Sequence, residues 1–394
     1  MTSLMQAVAR TREDVSFPPN GDVHVNLLQD HFQSPGTKGS VRKLIAAMIA
    51  SGAVQHPYAV ILCRFQGEPP HPDEAKWLKF FTEAFTRGTG GLVEYWQDAS
   101  LAVIDVSGSR VFPWIEVSLT RKQGGFPPTT RQDLTNAGIS AIQNSTDPLT
   151  GKPGDPITGF FNQISCYMYR DNGERGQLKK NIDGSTDGIS NKTNLTAPFD
   201  GEVTAHEMGH SQGMEHDADV TGDTNYHDKC CIMSESGHFS VSPWEVVFGP
   251  SICLPHLMLQ GWMYKKRMLF DPGAWATKPE GITFQLAPNT EAGSPAFLGA
   301  SLSVPGSSPA WEYLLEVAPL GGWNQGIANL PALMVRRTSS QIDLAPKVSA
   351  MYLGQLQINS TGSTTMTEAS GNTTFTVSQI STRGPTVTVT AKKS

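Results

Sequence analysis

The chain has 394 residues, 38% of them hydrophobic and 17% charged, with a formal net charge of −6 at pH 7. That length accommodates two or three domains, and the acidic balance, without any long basic run, argues against nucleic-acid binding. No stretch reaches the ~20 apolar residues that a membrane-spanning helix needs.

Residues 1–57 form an N-terminal segment with no apolar signal core, so no secretory leader is legible there. Within it, "VRKLIAAMIASGA" has the spacing of a short helix. "YAVILCRF" (58–65) is an apolar run of strand type. "HPDEAKWLKFFTEAFTRGTGG" reads as a helix: a proline and acids open it, Trp77, Phe80, Phe81, Ala84 and Phe85 recur at helical spacing, and Gly88 ends it. "GLVEYWQDAS" and "LAVIDVSGSRVFPWIEVSL" are expected as strands, the latter broken by a Ser-Gly-Ser turn. "TTRQDLTNAGISAIQ" is expected as a helix and "ITGFFNQISCYMYR" (157–170) as a strand. This order suggests an α/β or α+β domain around a central sheet over residues 58–270. From 271 to 394 the composition turns to Thr, Ser, Pro and Gly. Alternating runs such as "ITFQLAP", "YLLEVAP", "TFTVSQI" and "TVTVTA" predict an all-β, sandwich-like domain. All ten His and all five Cys lie at or before His256, so chemistry based on them belongs to the first domain.

The stretch "HEMGHSQGMEH" (206–216) concentrates that chemistry. On a helix, His206 and His210 project from one face a turn apart, a separation that suits two imidazoles on one Zn²⁺. Glu207 beside them is placed to move protons rather than to ligate. Gly213 can adopt the left-handed conformation that ends a helix and swings His216 back as a third ligand. Three ligands and an open position make a catalytic rather than a structural centre. Isolated surface or core histidines explain one such position, not five fixed ones in register.

The motif H-E-x-x-H-x-x-G-x-x-H resembles that of the metzincin zinc metallopeptidases. "CCIMSESG" (230–237) is similar to their methionine turn, with Met233 in the position that forms a hydrophobic floor under the histidines. "VEYWQDASLAVIDVSGSRVFPWIEV" and "CIMSESG…FGPSICLPHLMLQGWM" look like segments of gametolysin-like and immune-inhibitor-A-like secreted peptidases. The β-rich tail resembles the domain that follows the catalytic unit in such proteins. The resemblance implies a mixed-sheet α+β catalytic domain and a zinc endopeptidase with Glu207 as general base and acid. It also implies a protein or peptide substrate lying along an edge strand between residues 157 and 200, a secreted location, and a disulfide between Cys231 and Cys253.

The chain departs from the pattern at Glu235, where many metzincins carry a tyrosine; Tyr226, His227 and His238 are substitutes to weigh. Asp217, Asp219, Asp223 and Asp228 form an acidic cluster that offers Ca²⁺ oxygen ligands, although a solvated loop is the better reading. Asp217 is also placed to orient a ligand. Cys230 calls for a partner other than its neighbour Cys231, with Cys166 one choice. Cys63 reads as a buried thiol, and Trp262 as closing the catalytic domain against the next. Two rival functions remain open: a glycan- or protein-binding module with a vestigial zinc site, and a zinc hydrolase of non-peptide amides or esters. The expected oligomeric state is a monomer.

Overall fold

A computed structural model of the chain describes residues 54–120, 131–146, 157, 160, 162–168, 183–187, 191–197, 199–214, 216–219, 228–234, 249–263, 265–291, 294–307, 311–325, 327, 329–339, 351–358, 362–368, 372–379 and 386–393. The helix expected at 41–53, and Tyr226, His227, Glu235 and His238, lie outside these residues.

The first half builds a five-stranded mixed sheet. Its strands, in chain order, are β2 (Tyr58–Arg64), β4 (Arg110–Glu116), β5 (Asn162–Tyr167), β6 (Asp183–Asp187) and β7 (Lys192–Thr196). They lie in the order β4-β2-β5-β7-β6, all parallel except β6, which runs antiparallel to β7 at the edge. A small parallel pair, β1 (Val54–Gln55) with β3 (Ile104–Asp105), flanks it. In β2, Tyr58, Val60 and Leu62 enter one core while Ala59, Ile61 and Cys63 enter another. Successive side chains of a strand point to opposite faces, so a strand covered on both sides must be apolar throughout. That is why "YAVILC" shows no alternation.

Helix α1 (Glu74–Ala84) seats Trp77, Phe80, Phe81 and Ala84 on the first of these faces. On the opposite face, helix α3 (Arg131–Gln143) contributes Leu134, Ile139 and Ile142. The segment expected as a strand at 91–100 is instead helix α2 (Leu92–Ala99). Its β-forming residues suggested a strand, but Leu92, Tyr95, Trp96 and Ala99 recur at helical intervals and all are buried. The Glu94 carboxylate, in the first turn, accepts from the N–H groups of Gly88, Gly90 and Gly91 at 2.7, 3.1 and 3.2 Å. Those bonds fix the helix start.

The second half is a two-sheet sandwich. The larger sheet contains β8 (Ala218–Asp219), β9 (Met268–Asp271), β11 (Gly299–Ser303), β12 (Trp311–Ala318), β13 (Ala332–Ser339) and β14 (Met351–Gln357), in the order β8-β14-β13-β12-β11-β9. The smaller contains β10 (Ile282–Leu286), β15 (Ser363–Glu368), β16 (Thr373–Gln379) and β17 (Val387–Lys393), in the order β10-β17-β16-β15. Tyr313, Leu315 and Val317 of β12 meet Phe375, Val377, Val387 and Val389 between the sheets. The other face of β12 is covered too, because Leu314 joins the core of the first half. The sandwich also takes strands from before residue 271: β9 pairs with β11, and β8, just after His216, pairs with β14. Trp262 is fully buried in the first core, edge-on to Trp96. The fold is thus α+β, with a mixed sheet followed by a largely antiparallel sandwich. Among the described residues no helix is long and apolar enough to cross a membrane.

Candidate metal centre

The histidines sit on helix α4 (Gly201–Ser211) and the turn after it. Asp200 starts the helix, its carboxylate accepting from the N–H of Glu202 at 2.6 Å and of Val203 at 3.4 Å. The helix ends as Gly213 turns left-handed, with φ of 82°. The Gly213 N–H bonds the His210 carbonyl at 2.8 Å and the Met214 N–H bonds that of Gly209 at 3.1 Å. These two bonds make a Schellman termination, which returns the chain toward the helix and brings His216 against it.

The three imidazoles converge. Their Nε2 atoms are 3.1 Å apart for His206–His216, 3.1 Å for His206–His210 and 2.9 Å for His210–His216. Nδ1 of His206 lies 2.7 Å from the Ile232 carbonyl and Nδ1 of His210 lies 2.8 Å from that of Met214. A carbonyl only accepts, so both Nδ1 atoms carry the proton and both Nε2 atoms present lone pairs. Lone pairs aimed at each other across 3.1 Å repel unless a cation lies between them, and carbonyl-oriented imidazoles are the usual supports of a metal site. Burial, reinforced by the neighbouring rings, pushes His206 down to about 3 and His210 to about 4, and burial also lowers His216. All three are therefore neutral at pH 7, the state a metal needs.

Glu207, on the same helix, is buried. Met233 packs closely against the same helix: a Cβ added to Gly209 would come within 2.4 Å of its sulfur. The Met233 carbonyl accepts from the N–H of Asp217 at 3.2 Å, tying the third histidine's segment to this turn.

The cysteines differ from the sequence-based expectation. All five are free and buried. Cys231 and Cys253 are brought close to each other but are not joined. Burial pushes both thiols up, Cys253 to about 12. Cys230 and Cys166 fall in separate cores, so they are not partners, and Cys63 is a buried thiol. Nor do the described acids of the 217–228 loop converge on a calcium ion. Asp228 engages Arg336 of β13 at 2.5 and 3.1 Å, while Asp217 turns to His256 at 3.0 Å and to Cys253 at 3.6 Å. The side chain of Asp219 and the whole of Asp223 lie outside the described residues.

Two participants escaped sequence reasoning. Arg336, fully buried, also pairs with Glu316, whose carboxylate accepts from the N–H of Leu254 at 2.9 Å, the first residue of helix α5 (Leu254–Leu259). His256, one turn into that helix, is fully buried beside Asp217. An apolar-looking strand and a lone histidine in "CLPHLM" gave little sign of either; the three-residue spacing of Cys253 and His256 was the one available signal. Comparison with known protein families, with curated proteins and with solved structures returned no match.

Proposed function

We propose that this chain is a zinc-dependent endopeptidase of the metzincin type. The observation that carries the reading is the convergence of three Nε2 lone pairs within 3.1 Å, beside a buried glutamate on the same helix. His206, His210 and His216 would hold the ion, and three imidazoles with no fourth donor grouped with them among the described residues suit Zn²⁺ in an open, catalytic site. When bound, zinc supplies Lewis acidity that polarises a carbonyl and makes a neighbouring water easier to deprotonate.

The chain's own residues supply the rest. Glu207 accepts the proton of the attacking water and delivers it to the departing amide nitrogen. The Ile232 and Met214 carbonyls keep two rings in the tautomer that leaves Nε2 free. Met233 packs against the helix at Gly209, where it would serve as the floor of the site. Strand β6 lies at the edge of the sheet and packs against α4. An extended peptide added along that edge would gain main-chain hydrogen bonds and pass beside the site.

The test is digestion of an unfolded protein such as casein by zinc-loaded wild type and Glu207→Ala. Cleavage by the wild type that falls at least 100-fold in a variant still holding zinc supports the reading. Equal cleavage by both removes Glu207 from its role. Zinc bound by both without peptide cleavage, but with turnover of small esters or amides, favours a non-peptide hydrolase.

A further inference from the structure

A second group of metal-type donors lies behind the histidines. Asp217, Cys231, Cys253 and His256 each offer one ligand atom, and all four atoms lie within 4.8 Å of one another. All four residues are 0–1% exposed. They come from three separate parts of the chain: the residue after His216, the turn that carries Met233, and the start of α5.

Hydrogen bonding alone does not account for this cluster. Nε2 of His256 is 3.0 Å from Oδ1 of Asp217, yet neither that oxygen nor either ring nitrogen of His256 makes a directed hydrogen bond. A buried imidazole and carboxylate left so are costly unless something else satisfies them. The Cys253 thiol donates to Oδ2 of Asp217 at 3.6 Å, but the 3.0 Å approach of the His256 ring to Oδ1, close yet misdirected for a hydrogen bond, is what two ligands around a shared ion show. The electrostatics also balance: a divalent cation that displaces two thiol protons adds no net charge to the interior. A disulfide between the cysteines would consume both sulfurs and remove the thiol that donates to Oδ2 of Asp217.

We propose that Asp217, Cys231, Cys253 and His256 form a second, closed zinc site with a structural role. Two sulfurs, an imidazole and a carboxylate are a donor set suited to zinc, and four protein ligands leave no position for substrate. The ion would tie together the segment carrying His216, the turn carrying Met233, and helix α5. Through the bond from Leu254 to Glu316, α5 in turn anchors the sandwich. The site stands on different residues from the proposed active site, so either can fail without the other.

The test uses the full chain with His206→Ala and His210→Ala, which removes the first site, produced in cobalt-supplemented medium under reducing conditions. The expected result is one cobalt per chain with an intense near-ultraviolet thiolate-to-cobalt band. Adding Cys253→Ser should abolish the band. Unmutated chain grown in zinc should hold two ions, and Glu207→Ala should leave that number unchanged. The proposal is overturned if the double-histidine variant holds no cobalt or shows no thiolate band. It is overturned equally if intact mass and thiol titration show Cys231 and Cys253 joined in a protein that still folds. Unmutated chain needs no variant to fold, and if it shows no thiolate-to-cobalt band after growth in cobalt under reducing conditions, that also contradicts the site.

Discussion

The two donor clusters lie back to back across the peptide bond between His216 and Asp217, and they differ in one decisive respect. Each histidine of the first remains partly exposed, whereas every member of the second is buried. In the first, two rings are held by backbone carbonyls, which leaves their Nε2 atoms to converge. In the second, all four donors are shut away from solvent. Exposure, more than the donor types, is thus what would separate a proposed substrate-admitting site from a proposed fastening one. Outside a helix, neighbouring side chains can point to opposite sides, so one short segment serves both clusters.

Three perturbations would break or sharpen that contrast. The largest effect is expected from Arg336→Leu. It strands the Asp228 and Glu316 carboxylates in the interior, and breaking such a buried pair costs about 3–5 kcal/mol. Urea unfolding should show that loss. Any residual folded protein should retain the histidine cluster's zinc before the cysteine cluster's, because Asp228 lies in the loop that carries Cys231.

Next is pH. His56, behind the helix end, has Nδ1 3.1 Å from the Gln212 amide nitrogen and 3.3 Å from that of Asn162. Burial lowers it from 6.5 to about 4. The unfolded chain therefore takes up a proton that the folded chain refuses. Stability is full above pH 6.5, declines as pH falls, and levels off near pH 4, with a total loss of up to about 3 kcal/mol. Unfolding midpoints across this window should be steeper for wild type than for His56→Gln; parallel curves would remove His56 from the account.

The smallest effect is expected from Gly209→Ala. Its methyl group would press on the buried Met233 sulfur, and overpacking of this kind costs about 1–3 kcal/mol. The prediction is a lower melting temperature and weaker zinc binding at the histidines, with the cysteine cluster's ion retained. Unchanged stability would show that Met233 is not a fixed floor.

How much of this was legible in the sequence depended on where the signal resided. The apolar run of β2 and the aromatic spacing of α1 declared themselves, since burial on both sheet faces or on one helix face leaves a pattern. The histidine cluster was legible because its three donors fall within eleven residues. Helix α2 was misread because its Val, Tyr and Trp favour strands locally, while tertiary burial and the Glu94 cap decided for helix. The edge strand β6, "DGSTD", has no apolar alternation to reveal it, and its pairing with β7 is what makes it a strand. The second cluster was hidden because its donors span residues 217 to 256 and converge only in three dimensions.

The most direct measurement of the central claim is zinc-edge anomalous diffraction from crystals of the full chain grown with zinc. The account predicts a peak bonded to the Nε2 atoms of His206, His210 and His216, with solvent rather than a protein group completing the coordination. No peak at the three histidines, or one closed off by a fourth protein ligand, would contradict it.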